Sequence, residues 1–212
     1  MLKINEIFKS IQGESSYMGV PTVFVRLTGC NLRCTYCDTE YAFYEGNSMT
    51  VKDVLAAVKA FGLPLVEITG GEPLMQKDVY PLMDELLKNG YQVMLETGGS
   101  ITLQDVPKEV IKVMDIKCPG SSEEVNNRFE NIDHLTLNDE VKFVILDRMD
   151  YDWSKKIVHR YHLNKKARIL FSPVYDKLQL KDLAEWVLED KLPVRLQTQL
   201  HKIIWSKDAI GV

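Results

Sequence analysis

Short apolar runs alternate with stretches of helical periodicity along most of the chain. Four stretches predict amphipathic helices, at 51–61, 79–87, 151–161 and 180–189. Thr50 is the expected N-cap of the first helix, and Gly90 is the expected stop of the second. The apolar runs predict six β-strands, at 23–27, 65–69, 92–96, 112–116, 141–146 and 168–171.

This alternation of strands and helices indicates a parallel sheet with helical crossovers. Six such units are too few to close an eight-stranded barrel, so we predict an α/β fold, a partial, open parallel βα barrel like an incomplete TIM barrel. In that fold the carboxyl ends of the strands meet on one face, where active sites lie. The polar and glycine-rich segments that follow the predicted strands are the cysteine loop, Gly70–Pro73, Glu96–Gly99, Asp115–Lys117 and Ser172–Pro173.

Length, charge and composition narrow the class of protein. The 212 residues suffice for one full hydrophobic core, so residues 1–212 are expected to form a single domain. A formal net charge of −4 provides no basic footprint, and we expect no nucleic-acid partner. The sequence has no apolar run of bilayer length and no apolar signal region at residues 1–6, so we expect no membrane partner and a cytoplasmic location.

Three of the four cysteines, Cys30, Cys34 and Cys37, follow the spacing C-x3-C-x2-C. Three thiolates hold three corners of a cubic iron–sulfur cluster, whereas a cluster for simple electron transfer normally takes four. An open coordination position indicates a catalytic metal. The alternative is a structural zinc site, for which Cys118, 81 residues after Cys37, could supply the fourth ligand. A lone cysteine is more often a small buried hydrophobic residue, so the spacing favours the cluster.

The cysteine spacing, with Tyr36 just before the last cysteine, resembles that of the radical S-adenosylmethionine superfamily. There the open iron is chelated by the methionine moiety of S-adenosylmethionine, whose reductive cleavage yields a 5′-deoxyadenosyl radical. Gly70-Gly71-Glu72-Pro73 resembles the Gly-Gly-Glu-Pro motif of that superfamily, whose backbone meets the methionine amino group. Two glycines allow the main chain to approach a ligand closely, and the Glu72 carboxylate can accept from an ammonium.

Four stretches are more narrowly similar to the 7-carboxy-7-deazaguanine synthase family: 11–14, 24–32, 37–39 and 197–202. The resemblance implies a carbon–nitrogen lyase that converts 6-carboxy-5,6,7,8-tetrahydropterin to 7-carboxy-7-deazaguanine by radical ring contraction with loss of ammonia. The product feeds queuosine and other deazapurine pathways, and so tRNA modification. The implied cofactors are a 4Fe-4S cluster, S-adenosyl-L-methionine and Mg2+, and the implied partners are a flavodoxin-type or other reductant and a second copy in a homodimer. One departure is Ser15, where the family usually has a glycine that tolerates positive φ.

The resemblance also implies roles for single residues. Cys30, Cys34 and Cys37 hold the cluster, Thr39 ligates Mg2+ through its hydroxyl, and Arg26 pairs with the substrate carboxylate. No side chain is assigned as a catalyst, because the cofactor carries the radical. The other implied substrate contacts are Ile11, Gln12, Gly13, Thr69, His201 and the terminal carboxylate of Val212. The implied S-adenosylmethionine contacts are Tyr36, Asp38, Gly71, Glu72, Glu96, Asp115, Ile116, Lys117, Ser172 and Pro173.

Several of these roles have a structural alternative. Thr39 could be a turn or cap residue, Arg26 could form an ordinary ion pair, and His201 could be a structural histidine. Lys117 could form a structural pair with Glu96, and local turn chemistry could account for Gln12, Gly13 and Thr69. The whole chain also has two alternatives. A glycyl-radical-enzyme activase has a similar size and cysteine spacing but acts on a protein backbone, whereas the segments 12–14 and 199–202 favour a small pterin. A non-catalytic iron–sulfur redox sensor is disfavoured by the open iron.

Overall fold

The computed structural model describes residues 1–207 and 209–212, in which nine strands form one sheet. The strands are β1 (Leu2–Ile11), β2 (Pro21–Leu27), β3 (Asn47–Met49), β4 (Leu65–Gly70), β5 (Gln92–Thr97), β6 (Ile111–Asp115), β7 (Glu140–Ile145), β8 (Arg168–Pro173) and β9 (Arg195–Leu196). The α-helices are α1 (Val51–Phe61), α2 (Val79–Lys88), α3 (Arg148–Arg160), α4 (Leu180–Asp190) and α5 (Leu200–Ile204). Among the helices described, none combines the length and apolarity that a bilayer crossing requires.

The strand order is β3-β1-β2-β4-β5-β6-β7-β8-β9, and every pair from β2 to β9 is parallel. The predicted α/β partial barrel is therefore confirmed, with the six predicted strands found as β2 and β4 to β8. The structure adds an antiparallel extension, because β1 and β3 run antiparallel to their neighbours. It also adds β9 and α5, and the β5–β6 and β6–β7 connections contain only turns and short 3-10 helices.

Local capping explains where the helices begin and end. Thr50 caps α1 as expected, since its hydroxyl accepts from the Asp53 backbone N–H at 3.2 Å and the Asp53 carboxylate accepts from the Thr50 N–H at 3.1 Å. Gly90 adopts a φ of 83° two residues beyond the end of α2, as expected of a helix stop. Helix α3 begins three residues earlier than predicted, because the Asp147 carboxylate accepts from the N–H groups of Met149 and Asp150.

Strand β1 pairs with β2 with one irregularity in the register. Ile4 lies opposite Leu27 and Glu6 lies opposite Arg26, so Asn5 is the extra residue of a β-bulge. Side chains alternate between the two faces of a strand, and one extra residue reverses that alternation. The bulge therefore allows Ile4 to join the core on the helix side while Glu6 shares the opposite face with Arg26.

The two faces of the sheet carry different side chains. The main hydrophobic core fills the space between the sheet and the helices and includes Val66 and Ile68 of β4. On the opposite face, called here the inner face, a small apolar cluster lies near the amino ends of the strands and packs against Tyr17. Toward the carboxyl ends the inner face becomes polar, with Glu67 and Thr69 in β4. The fold thus places buried polar groups beside the expected site.

Candidate active site

The carboxyl ends of the parallel strands open into a cleft of roughly 750 Å³, a size typical of small-molecule sites. The cleft brings together most residues that the sequence singled out. They include the three cysteines with Thr39, the groove residues Tyr36, Asp38, Gly71, Glu96, Asp115, Lys117, Ser172 and Pro173, and the substrate-side residues Ile11, Gln12, Gly13, Arg26, Thr69, His201 and Val212. Glu72 and Ile116 are not among the lining residues.

Glu72 is fully buried, and its carboxylate is occupied by protein donors. Thr97 Oγ1 and Gly98 N donate to Oε2, each at 2.8 Å, and Leu74 N donates to Oε1 at 3.0 Å. The expectation that this carboxylate accepts from the cofactor is corrected: it fixes the glycine turn against the end of β5. Ile116 likewise lies in the hydrophobic core, which corrects its assignment as a groove residue.

The glycine turn packs directly on the cysteine loop. Glu72 N donates to Gly29 O at 2.8 Å, and a Cβ built on Gly71 would lie 2.7 Å from Cys30 Cβ. A side chain is therefore excluded at Gly71, because the cysteine loop already fills the space that its Cβ would need, and Gly71 itself lines the cleft beside the first cysteine. The cysteine loop and the glycine turn, which both resemble radical S-adenosylmethionine motifs, are thus in contact.

The three cysteines of the loop are half-buried and unpaired, and all line the cleft. Burial raises the pKa of Cys34 to about 11 and raises the pKa values of Cys30 and Cys37, so thiolates here require a positive partner such as iron. Leu32 N donates to Cys30 Sγ at 3.4 Å, which suits a charged sulfur. These observations fit an iron–sulfur cluster held by three thiolates.

A mononuclear zinc site does not fit this arrangement. Within residues 1–207 and 209–212 no three His, Cys, Asp or Glu side chains converge so that they could hold one metal ion. A cubic cluster needs no such convergence, because each of three irons takes one thiolate. Cys118 is buried, with its Sγ 3.2 Å from Ser154 Oγ, and it does not line the cleft. The zinc alternative with Cys118 as fourth ligand is therefore wrong.

Lys142 of β7 is the centre of a buried ion network on the inner face. Its Nζ lies 2.9 Å from Glu14 Oε2 and 4.0 Å from Asp115 Oδ2, and it also contacts Glu96 Oε1. Burial opposes the charge, but Glu14 and Glu96 raise the pKa of Lys142 well above its ordinary value. Burial likewise opposes ionisation of Glu96, but Lys142 outweighs it and lowers the pKa of Glu96. The alternative of a structural Lys117–Glu96 pair is not what the structure shows, because Lys117 Nζ pairs with Asp115 at 2.8 Å.

Glu67 lies on the cleft floor beside this network. Burial, followed by the nearby Glu96 charge, raises the pKa of Glu67 well above its ordinary value. Gln12 Nε2 donates to Glu67, and Gln12 Oε1 accepts from Glu14 N at 3.1 Å. Thr69 Oγ1 donates to Glu96 Oε2 at 3.3 Å. The cleft floor therefore holds an acid that favours its protonated form, next to predicted substrate contacts.

Arg26 projects from β2 into the same cleft. Its Nε donates to Glu6 Oε1 at 2.7 Å, and its guanidinium lies 5.8 Å from the Phe8 ring centroid and 5.7 Å from that of Tyr41. The hydrogen bond through Nε leaves the two terminal nitrogens for a ligand. The arrangement can bind a carboxylate from one side of the cleft.

The C-terminal helix α5 and the residue before it tie the cysteine loop to the loop after β1. Lys202 Nζ donates to Asp38 Oδ2 at 2.7 Å, and Gln199 Nε2 donates to both Glu14 Oε1 and Asp38 Oδ2. Burial would raise the pKa of Asp38, but Lys202 outweighs it and lowers that pKa. Thr39 Oγ1 donates to Asp38 Oδ1 at 2.9 Å, so its oxygen keeps lone pairs for a cation.

Gly13, in the loop after β1, packs against His201 of α5. Leu200 N donates to Gly13 O at 2.9 Å, and a Cβ built on Gly13 would overlap the His201 ring. Burial lowers the pKa of His201, which therefore favours its neutral form. Glycine is required at this position because the helix that carries His201 approaches the backbone so closely.

Ser15 adopts a φ of 63°, so the loop keeps the left-handed conformation that a glycine would favour. The Ser15 hydroxyl accepts from Tyr17 N at 3.0 Å, and Ser15 N donates to Gln197 Oε1 at 2.9 Å. These two bonds offset the strain of a non-glycine residue at positive φ.

The sequence reasoning missed five residues that shape the cleft. Glu14, Tyr41 and Glu67 line the cleft, whereas Glu6 and Lys142 hold lining residues through ion pairs. The sequence contained a signal for two of them, because Glu67 and Lys142 are charged residues that stand between apolar neighbours within strands. A charge on a buried strand face requires a partner or a function.

Comparisons with known proteins agree with this geometry. The model of the radical SAM superfamily matches residues 24–187. The chain is 46% identical to the 7-carboxy-7-deazaguanine synthase of Koribacter versatilis, with 100% of both chains covered. It is 45% identical to the enzyme of that name from Chlorobaculum tepidum, covering 100% of this chain and 97% of the relative. The crystal structure of QueE from Escherichia coli shares the fold, with a TM-score of 0.79, 24% identity and 94% of each chain covered.

Proposed function

Because the chain belongs to the 7-carboxy-7-deazaguanine synthase family of the radical SAM superfamily, we infer that it converts 6-carboxy-5,6,7,8-tetrahydropterin to 7-carboxy-7-deazaguanine. The reaction contracts a ring and releases ammonia, so the enzyme is a carbon–nitrogen lyase of queuosine and 7-deazapurine biosynthesis. One observation carries the conclusion: the cysteine loop, the glycine turn and the Arg26 guanidinium line the same cleft.

The cofactors of the enzyme are a 4Fe-4S cluster and S-adenosyl-L-methionine, which supply, when bound, the one-electron chemistry that begins the ring contraction. We assign the cluster to the thiolates of Cys30, Cys34 and Cys37. The backbone of Gly71, which lines the cleft beside Cys30, would receive the methionine amino group. The rest of the groove would be formed by Tyr36, Asp38, Glu96, Asp115, Lys117, Ser172 and Pro173.

The chain's own residues bind and orient the substrate. Arg26 would take the pterin carboxylate through its terminal nitrogens, and Thr39 would hold Mg2+ beside it through its hydroxyl. Remaining contacts would come from Ile11, Gln12, Gly13, Thr69, His201 and Val212. Correct placement of reacting groups and exclusion of water contribute a large part of such catalysis.

Finer points of organisation are also proposed. A single domain over residues 1–212 is supported by the main core, which runs from Leu2 to Leu192. A homodimer is supported by the exposed apolar residues Ile203 and Trp205, which are 65% and 41% exposed. Free thiols at the cleft suit a reducing compartment, so we propose the cytoplasm and a flavodoxin-type or other reductant.

The test is an anaerobic assay of the cluster-loaded enzyme with carboxytetrahydropterin, S-adenosylmethionine, Mg2+ and reductant. We expect 7-carboxy-7-deazaguanine and ammonia in equal amounts, and no product from Cys34→Ala. Absence of product from enzyme with an intact cluster would refute the function. A cluster EPR signal that does not respond to S-adenosylmethionine would favour a redox sensor, and deoxyadenosine formed only with a protein partner would favour an activase.

A further inference from the structure

Glu6 lies on the same face of the sheet as the cleft residue Arg26 only because of the bulge at Asn5. Without the extra residue, the pairing of Ile4 with Leu27 would set Asn5 opposite Arg26 and turn Glu6 to the helix side of the sheet. The Asn5 side chain holds the bulge in place, since its Nδ2 donates to Glu45 O at 2.9 Å. Bulges re-aim side chains beside active sites, and this one places a carboxylate next to the guanidinium.

The Glu6 carboxylate joins two elements of the cleft. Its Oε1 accepts from Arg26 Nε at 2.7 Å and from Tyr41 Oη at 2.9 Å. The side chains of Glu6 and Arg26 are 18% and 16% exposed, so water competes weakly for these bonds. Tyr41 follows Thr39 by two residues, and Glu6 therefore links the guanidinium to the end of the cysteine loop.

These contacts fix the plane of the guanidinium as well as its position. The planar group has five N–H donors, and Glu6 uses the one on Nε. A carboxylate ligand must then approach the edge formed by the two terminal nitrogens. The rings of Phe8 and Tyr41 lie within 6 Å of the guanidinium carbon and restrict its rotation.

We propose that Glu6 is a positioning residue that holds the Arg26 guanidinium in the orientation that binds the substrate carboxylate. The proposal rests on the proposed function, because it takes Arg26 as the partner of that carboxylate. Glu6 touches neither substrate nor cofactor in this role. It sets the angle at which the carboxylate, and with it the reacting ring carbon, is presented to the cluster side of the cleft.

The first test measures recognition of the carboxylate apart from turnover. Binding of fluorescent 6-carboxypterin and of unsubstituted pterin to the cluster-loaded enzyme is compared by anaerobic titration. We expect the wild-type enzyme to prefer the carboxylated ligand by about tenfold or more, the effect of a charge-assisted pair. Glu6→Ala should lose most of this preference, and Glu6→Gln, which keeps an acceptor for Nε, should be intermediate. Glu109→Gln, an exposed glutamate remote from the cleft, is the matched control.

The second test is a double-mutant cycle with Arg26→Ala, followed by the KM for carboxytetrahydropterin. If Glu6 acts through Arg26, Glu6→Ala raises KM in the wild-type background and leaves it unchanged when Arg26 is absent. Full additivity of the two changes would overturn the proposal. So would an effect of Arg26→Ala without an effect of Glu6→Ala, although the proposed function would then stand. An Arg26→Ala variant that binds and turns over normally would instead refute the assignment of Arg26 itself. Iron content and thermal midpoint confirm that each variant is folded and loaded.

Discussion

Replacing Lys142 with methionine should destabilise the protein severely. The Lys142 side chain is 7% exposed, and its ammonium is the common partner of Glu14 and Glu96. Removing one member of a buried ion pair typically costs ~3–5 kcal/mol, because the remaining charge is left unpaired. For a domain of this size each kcal/mol corresponds to about 2–4 °C, so the midpoint of thermal unfolding should fall by roughly 6–20 °C.

The loss of stability caused by Lys142→Met should depend on pH in a defined direction. Lys142 outweighs burial and lowers the pKa of Glu96, so Glu96 stabilises the fold above its unfolded pKa, and this contribution is lost as the pH falls through the folded pKa. Without Lys142, only the smaller effects of the Lys117 and Arg26 charges oppose burial, so the folded pKa of Glu96 rises relative to that in the wild type. The difference between variant and wild type should therefore be largest near about pH 8 and shrink toward about pH 5.

The measurement is anaerobic circular dichroism melting of both proteins across this pH range. The matched control is Lys166→Met, since Lys166 pairs with Asp133 at the surface, where the side chains are 38% and 78% exposed. That control should melt like the wild type, because exposed pairs contribute little. The reasoning is refuted if Lys142→Met resembles the control, or if its loss of stability is the same at both ends of the range.

Three further changes have distinct expected outcomes. Glu67→Gln should raise the melting temperature more at high pH than at low pH, because burial raises the pKa of Glu67 and its stabilising proton is lost as the pH rises through that value; an equal shift at all pH values contradicts this. Cys118→Ala should keep full iron and sulfide content while Cys34→Ala loses both, as measured by chemical analysis; iron loss from Cys118→Ala would contradict the three-thiolate site. Gly13→Ala should lower kcat/KM by roughly tenfold or more, because its Cβ would displace His201. An unchanged kcat/KM would contradict this, since it would show that His201 can move aside without loss of activity.

Local signals explain which elements were predictable. Helix α1 matches its predicted bounds because its capping residues and its apolar face are both determined by residues that are close together in sequence. Strand β1 was missed for an equally local reason. Its apolar residues Leu2 and Ile4 precede the bulge and Ile7 follows it, so the two-residue period slips at Asn5 and the pattern does not indicate one strand.

The site was predictable to the level of motifs but not of partners. The cysteine loop and the glycine turn each lie within ten residues and follow strands, so their meeting in one cleft could be expected. The partners of Lys142 could not be predicted, because Glu14 and Glu96 lie 128 and 46 residues away in sequence. Their contact depends on sheet register, which sets Lys142 opposite Asp115, and on the path of the loop after β1.

The bridge that Gln199 makes between Glu14 and Asp38 has a consequence for the order in which the molecule is assembled. Gln199 is 161 residues downstream of Asp38, and at a synthesis rate of ~5–20 residues per second this separates their emergence by roughly 10–30 s. Through that interval the cysteine loop already exists while the segment that ties it down does not. The nascent chain therefore carries its three thiols before α5 is synthesised, and the hydrogen bonds of Gln199 and Lys202 can order the cysteine loop only when synthesis is nearly complete.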